Sequence, residues 1–415
     1  MVMDLAPQLE QRLPAEYLNV IRAAGELAGE LGLGLYLVGG AVRDLLLGRP
    51  NFDLDLVVEG DAPKLANQLA QREGDEIIVH RHFGTAKLRR KKASIDFATA
   101  RAETYAHPGA LPTVHPGSIE DDLYRRDFSI NAMAVHLDLD NFGKLVDPCG
   151  GEDDLKNKLI RILHEKSFTD DATRILRAIR YEQRFGFKLE PTTAGLLRRD
   201  LSMLRTISGD RIRHELELIL KEECPEKILR RAGELGVLKE IHPSLKGDAW
   251  LEEKFHQARS INRSPPIALY FSLLVYHLSQ EEGEDLVSRL SIPKTTSQVI
   301  RDTIRIKEIL PSLADPGLLP SAIYRLLEGY RPLSIMANAL ASDSALIRPR
   351  LHLYLNKLRY VKISLDGEYL KQMGIPPGLR LGEISRALHD AKLDQIVKTR
   401  EEEEKLVHRW LSQGG

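Results

Sequence analysis

The chain is predicted to be α+β, with a small mixed sheet confined to the first ~150 residues and a remainder built of helices. Three observations carry this. Short apolar runs bounded by Gly, Pro and Asp crowd the first third, at residues 35–38, 54–58, 76–79, 85–88 and 94–98. From Gly151 onward the strand signal vanishes. The pattern then stays helical, punctuated at Cys224-Pro225, Gly247-Asp248, Ser264-Pro265-Pro266, Ile292-Pro293 and Asp315-Pro316-Gly317. No internal repeat organises it.

Taken in order, residues 16–31 place Leu18, Ile21, Leu27 and Leu31 near helical spacing, which predicts a helix leading into the run 35–38. That run stops at Gly39-Gly40. An amphipathic turn with Arg43 follows, and a second strand begins with Asp53 and Asp55. Alternation puts both carboxylates on one face and Leu54 on the other. Beyond Gly60-Asp61, residues 62–72 read as an amphipathic helix. Three strand-like runs come next, 76–79, 85–88 and 94–98. Residues 87–92, Lys-Leu-Arg-Arg-Lys-Lys, join the last two. A hairpin tip explains such a basic run as solvated edge protection, with RNA phosphate as the alternative partner. Residues 99–120 are rich in Pro and Gly without a period, and predict a long mobile loop.

Two carboxylates one residue apart on a strand repel unless a cation lies between them. Oxygen-only ligands suit Mg²⁺, which binds through one or two carboxylates plus substrate phosphates. Paired glycines let backbone N–H groups approach a phosphate, and the helix start adds its positive end. Either feature alone is commonly structural. Together, with Arg43 between them, they describe what nucleotidyl transfer requires. Asp96, inside the run 94–98, is the candidate third carboxylate, because a two-metal site draws ligands from more than one strand. Arg125 and Arg126 could grip phosphate oxygens. Asp127 and Asn131, four apart, would share a face if helical and could meet a ribose hydroxyl. Further on, Ile175, Leu176 and Ile179 occupy one side of a helix, with Arg174, Arg177 and Arg180 at three-residue spacing. By itself an arginine row of this kind predicts a salt-bridged surface. Residues 344–365 contain no acid but carry Arg348, Arg350, Lys357, Arg359 and Lys362 with Tyr354 and Tyr360. That stretch fits either a solvated face or a phosphate-contacting helix with stacking aromatics.

Composition narrows the classes. The 415 residues carry 43% hydrophobic and 29% charged side chains and a net charge of −1, as in an ordinary globular protein of several domains. Any RNA contact must then come from local patches. Two cysteines, Cys149 and Cys224, provide no disulfide framework or zinc site and fit a reducing cytosol. The first 18 residues mix Asp, Glu, Arg and Pro, unlike a signal peptide, and no apolar run approaches membrane-spanning length. A cytoplasmic protein without membrane contact is expected.

Residues 35–58, Leu-Tyr-Leu-Val-Gly-Gly-Ala-Val-Arg-Asp through Asp-Leu-Asp-Leu-Val-Val, resemble motif A of the class II tRNA nucleotidyltransferase and bacterial poly(A) polymerase family, within the polymerase-beta-like superfamily. Residues 125–134 look like its motif B. Asp147-Pro148-Cys149-Gly150-Gly151 through Asp154-Leu155 and Arg161 look like motif C, and residues 170–177 like motif D. Residues 208–216 resemble a later supporting helix, motif E. Four motifs in family order span about half the chain, a stronger signal than a lone motif. The resemblance implies a nucleotidyltransferase head (1–150), then a helical neck (151–240), body (241–340) and tail (341–415). It implies Asp53 and Asp55 as Mg²⁺ ligands, with Asp96 as a third catalytic carboxylate. Gly39, Gly40, Arg43, Arg126, Asp127, Asn131, Arg177 and Arg180 fall at nucleotide-binding positions. Asp171 and Arg174, beside Asp170 where the family usually has Glu, would read the base edge of the incoming nucleotide. The substrates implied are CTP or ATP and the tRNA 3′ end, with the acceptor and T arm on the tail. Residues 98–112 look like the branch that includes one-step A-adding enzymes. Addition of CCA, of CC or of A alone all stay open, as do a bacterial poly(A) polymerase and, more remotely, an inactive RNA-binding module.

Overall fold

A computed structural model describes residues 3–90, 93–107, 109–110 and 112–412. The chain forms two compact units, residues 1–216 with 235–241, and residues 217–234 with 242–415.

The first unit is built on a seven-stranded sheet. After α1 (Ala6–Arg12) and α2 (Ala15–Glu30) come β1 (Gly34–Val38), α3 (Gly40–Leu46), β2 (Leu54–Glu59), α4 (Ala62–Glu73), β3 (Glu76–His80), β4 (Thr85–Arg90) and β5 (Ala93–Thr99). A separate hairpin, β6 (Arg101–Thr104) and β7 (Thr113–Pro116), precedes α5 (Ile119–Tyr124), β8 (Ala134–His136) and β9 (Leu145–Val146). The strand order is β3-β4-β5-β2-β1-β8-β9, and only β2 and β5 run parallel, so the sheet is mixed. β1 lies inside it and is apolar on both faces, which is why its sequence reads as a continuous run rather than an alternation. Tyr36, Val38 and Val57 pack with Ile119, Leu123 and Ala132 on one face. α2 and α4 cover the other. Helix α4 starts where the Asp61 carboxylate accepts the Lys64 amide at 2.9 Å and ends at Gly74, in the left-handed region at φ 72°.

Three expectations change here. Asp53 precedes β2, which begins at Leu54, although Asp53 and Asp55 both remain exposed with Leu54 buried between them. The expected mobile loop is instead the hairpin β6–β7, paired from Arg101↔Pro116 to Thr104↔Thr113. Its strands bury almost no apolar side chain, so backbone pairing builds it and no hydrophobic alternation announces it. Pro108 and Leu111 lie outside the described residues. In the basic run, Lys87 pairs with Asp96 and Arg90 with Asp75, while Lys91 and Lys92 lie outside the described residues.

The rest of the first unit is helical except for a two-stranded parallel sheet. It comprises α6 (Gly151–Lys156), β10 (Leu159–Ile160), α7 (Ser167–Asp170), α8 (Thr173–Phe185), β11 (Lys188–Leu189), α9 (Pro191–Arg199) and α10 (Gly209–Leu220), which runs on past residue 216. Two-residue strands are too short to leave a periodic signal. In the second unit every anticipated breaker delimits a helix, as in Ala249–Ile261, which Asp248 caps by accepting the Leu251 amide at 3.0 Å. Its helices enclose one core around Leu313, Leu327 and Leu351 and another around Leu370, Leu388 and Val407. Among the described residues no helix is long and apolar enough to cross a membrane.

The basic stretch 344–365 is largely committed inside the protein. Arg350 donates to the carbonyls of Leu313, Asp315 and Pro316, and Arg348 to that of Ser342. Tyr354 belongs to the core rather than a stacking surface. Arg359 lies over the exposed Tyr360 ring and also meets its hydroxyl. Lys357 is exposed.

A candidate nucleotide-binding and catalytic cleft

A cleft of about 750 Å³ opens in the first unit. Its lining comes from the β1–β2 connection, from the hairpin, from residues 125–131, from α8 and from the start of α10. Five stretches of the chain thus converge on one hollow.

Asp53 and Asp55 form the acidic side. Across the sheet Asp55 is paired in register with Val38 on β1 and Asp96 on β5, so Asp55 and Asp96 are lateral neighbours on one face. Water reaches Asp55, yet the protein around it strips part of its solvation, and Asp53 and Asp96 repel its charge. Its carboxyl is pushed up to about 6 against the pull of Arg126 and Lys87. Among the described residues no hydrogen-bond donor or ion-pair partner holds either the Asp53 or the Asp55 carboxylate. Two adjacent, unpaired, water-accessible carboxylates match the oxygen donor set of a hard divalent cation. Asp96 differs, because Lys87 Nζ donates to it at 2.8 Å. No cluster of three or more metal-ligating side chains occurs among the described residues, so a cation here would rely on the Asp pair and on substrate oxygens.

Gly39 shows why a glycine is needed at the sheet end. It sits at φ 70°, and a Cβ there would lie 2.6 Å from Arg126 Nη1. The missing side chain makes room for that guanidinium. Arg126 and Arg125 share the fully buried carboxylate of Asp122, one on each oxygen, and Arg125 reaches on to Glu103 at 3.0 Å. Arg43 lines the cleft, held there by protein partners. It is buried, grips Asp44 through two nitrogens, donates to Asn131 at 2.6 Å and lies over the Phe185 ring. It braces the cleft wall.

Asp127 and Asn131 do not share a helical face. Asp127 precedes a single 3-10 turn, Ser129–Asn131, which Asn131 ends, and the two touch directly, Asn131 Nδ2 donating to Asp127 Oδ1 at 2.9 Å. Burial opposes charge on Asp127, but Arg177 and Asn131 overcome it and hold the carboxyl below its ordinary range. Arg177 donates to Asp127 at 2.6 Å and stands 3.5 Å from Glu215. Arg180 is buried beside Glu215 and lies behind the cleft lining. The arginine row of α8 is therefore an internal charge network, not the salt-bridged surface its spacing suggested.

Asp171 and Arg174 both line the cleft without pairing to each other through their side chains. Asp171 accepts from Thr173 and from Arg211. Arg174 donates to Ser167 Oγ at 2.7 Å and to the Arg125 carbonyl at 2.8 Å. Asp170 faces His164 instead. Motif C is structural, since Asp147 accepts the Gly151 and Glu152 amides and buried Asp154 accepts from Ser129 and Arg161.

Sequence reasoning passed over Asn51, Glu103, Tyr105, Tyr181, Arg184, Arg211 and Glu215 as cleft residues. The motif-like run 208–216 pointed at Arg211 and Glu215 without assigning them a position. Tyr105 donates to Glu103, and burial beside that carboxylate pushes its hydroxyl up to about 12. Asn51 accepts the Asp53 amide and donates to Asp44, tying the acidic pair to α3.

Known proteins share this architecture. Residues 35–161 match the poly A polymerase head domain, and residues 186–248 match the family described as "Probable RNA and SrmB- binding site of polymerase A". The A-adding tRNA nucleotidyltransferase of Geobacter sulfurreducens is 35% identical over 423 residues, covering 97% of this chain and 48% of that protein. An A-adding tRNA nucleotidyltransferase of Halalkalibacterium halodurans is 33% identical over 381 residues, covering 90% of this chain and 88% of that one. A CCA-adding enzyme solved in complex with ATP superposes with a TM-score of 0.84 at 33% identity over 100% of both chains. The chain spans about half the length of the Geobacter relative. It belongs to the family of tRNA nucleotidyltransferases and poly(A) polymerases.

Proposed function

We propose that the chain adds nucleotides from ATP or CTP to the 3′ end of tRNA without a nucleic-acid template, and that the terminal A is its product. The observation that carries the reading is one cleft holding an unpaired acidic pair, Asp53 and Asp55, and a preorganised acid and base, Asp171 and Arg174. In the reaction the 3′-hydroxyl oxygen bonds to the α-phosphorus and the bond to the pyrophosphate oxygen breaks. Pyrophosphate leaves, and the hydroxyl proton passes to solvent. Mg²⁺ held by Asp53 and Asp55, with Asp96 in support, would activate the attacking hydroxyl and neutralise the leaving group. Arg126, with Nη1 over Gly39, would steady the triphosphate. Asp171 accepts from, and Arg174 donates to, the edge that C and A have in common. Positioning and electrostatics then supply most of the acceleration.

Addition of A alone is the finer reading because the Geobacter and Halalkalibacterium relatives carry that name. Complete CCA addition is the second, favoured by the full-length likeness to the CCA-adding enzyme. The head, neck, body and tail division, contact with the acceptor and T arm, and a cytoplasmic setting belong to the same proposal. Incubation with tRNAs ending before C, after one C and after CC, each with single nucleotides, tests it. Extension of the CC-ended tRNA by ATP alone supports A addition. Extension of the shorter ends by CTP shifts the reading to CC or CCA, and no extension of any tRNA rejects the proposal.

A further inference from the structure

Asp171 is held by a single oxygen. Its Oδ1 accepts the Thr173 amide at 2.9 Å, the Thr173 hydroxyl at 2.6 Å and Arg211 Nη2 at 2.8 Å. Among the described residues no donor reaches Oδ2. The side chain is 23% exposed and lines the cleft, as does Arg211 on α10. A carboxylate with one free torsion could present either oxygen, but a charge-assisted bond from an arginine decides which one stays available. Arg174 uses two of its five donors, on Ser167 and on the Arg125 carbonyl, and so has others to offer.

We infer that Arg211 is a positioning residue for base selection. With the Thr173 hydroxyl it locks Oδ1 of Asp171, so that Oδ2 alone is offered to the amino group of the incoming base. The inference rests on the reading of Asp171 as a base reader. C and A each carry an amino donor beside a ring-nitrogen acceptor, whereas U and G present a carbonyl beside a ring N–H. A fixed carboxylate acceptor next to a guanidinium donor complements the first order and leaves unpaired polar groups against the second. Freed of Arg211, the Asp171 carboxylate can turn, and both the fit to the correct base and the mismatch with the wrong one weaken.

The test is kcat/KM for ATP, CTP, GTP and UTP in Arg211→Ala, Arg211→Lys, Thr173→Val, Asp171→Ala and the Asp171→Ala, Arg211→Ala double variant, with melting followed for each. Arg211→Ala is expected to lower kcat/KM for the accepted nucleotide roughly tenfold and to shrink its advantage over GTP and UTP. Arg211→Lys should recover part of that advantage. Because Arg211 acts through Asp171, adding Arg211→Ala to Asp171→Ala should leave the nucleotide ratios where Asp171→Ala put them. A folded Arg211→Ala with unchanged ratios, while Asp171→Ala alters them, overturns the role of Arg211 and leaves the base-reading role of Asp171 standing. Multiplying effects in the double variant overturn it too. Unchanged ratios in Asp171→Ala overturn base reading itself and the inference with it. If Arg211→Ala does not fold, Thr173→Val and Arg211→Lys decide, and unchanged ratios in both overturn the inference.

Discussion

The two sides of the cleft treat charge in opposite ways. On the sheet side Asp53 and Asp55 have no hydrogen-bond or ion-pair partner among the described residues, and the Asp55 carboxyl is raised by partial burial and by its neighbour. On the α8 side the charged groups are paired, with Asp127 on Arg177, Asp171 on Arg211, and Glu215 between Arg177 and Arg180. An unpaired pair of like charges is a standing destabilisation that a bound cation would relieve. A satisfied network is rigid and holds donors and acceptors at fixed places. In the proposed function, chemistry falls to the side where the charge is unmatched and recognition to the side where it is matched.

The largest test of that contrast is Asp53→Ala or Asp55→Ala. Either should cut single-nucleotide incorporation on the order of a thousandfold, since a lost metal ligand removes several kcal/mol of charge stabilisation. The melting temperature should hold or rise, because a repulsion disappears. Wild-type turnover in either variant would refute the assignment.

On the opposite side the effect should fall on stability. Asp127→Ala leaves Arg177 without its nearest partner, and breaking a buried pair this way costs about 3–5 kcal/mol. The sign with pH follows from the lowered Asp127 carboxyl. Its stabilisation is complete above the usual carboxylate range and is lost as pH falls through the lower folded value. Denaturant unfolding between about pH 6 and pH 2.5 should therefore show a flatter acid limb in Asp127→Asn than in wild type. Parallel limbs would remove Asp127 from the network.

Arg126 stands between the two sides. Its replacement by Ala should weaken all four nucleotides by a similar factor, roughly ten- to thirtyfold, because phosphate is common to them. A change in their ranking would move Arg126 into base reading. Asp96 is a milder case. It neighbours Asp55 but has Lys87, so Asp96→Ala should lower turnover roughly tenfold, less than loss of either unpaired carboxylate, and change stability by under ~1 kcal/mol. Equal losses at all three positions would make Asp96 a full partner.

The smallest effects belong to the basic stretch at 344–365, where the same rule applies. Lys357 is exposed, so Lys357→Ala should lower the salt slope of tRNA binding by up to about one. Arg350 is bound to three carbonyls, and its loss should move melting rather than that slope. Equal slopes in both variants would break the distinction.

By itself the amino-acid sequence determined the division into a mixed sheet and a helical remainder, because period-two and period-3.6 patterns are local consequences of where side chains point. It also pointed to the acidic pair, since Asp53, just ahead of β2, and Asp55 within it are both exposed on either side of buried Leu54, as alternation predicts. The parallel pairing of β2 with β5, which brings Asp96 beside Asp55, joins residues about forty apart and no local pattern encodes it. The hairpin at 101–116 depends on backbone hydrogen bonds that leave no apolar alternation. Above all, only the tertiary structure decided which arginines are available. Arg43, Arg177 and Arg350 are alike in sequence as cations that could face a nucleotide or RNA. Arg43 is enclosed by Asp44, Asn131 and Phe185, Arg177 is tied to Asp127, and Arg350 is fixed on loop carbonyls. A side chain's charge is a property of its residue type, whereas the partner that neutralises it comes from wherever the fold brings the chain back.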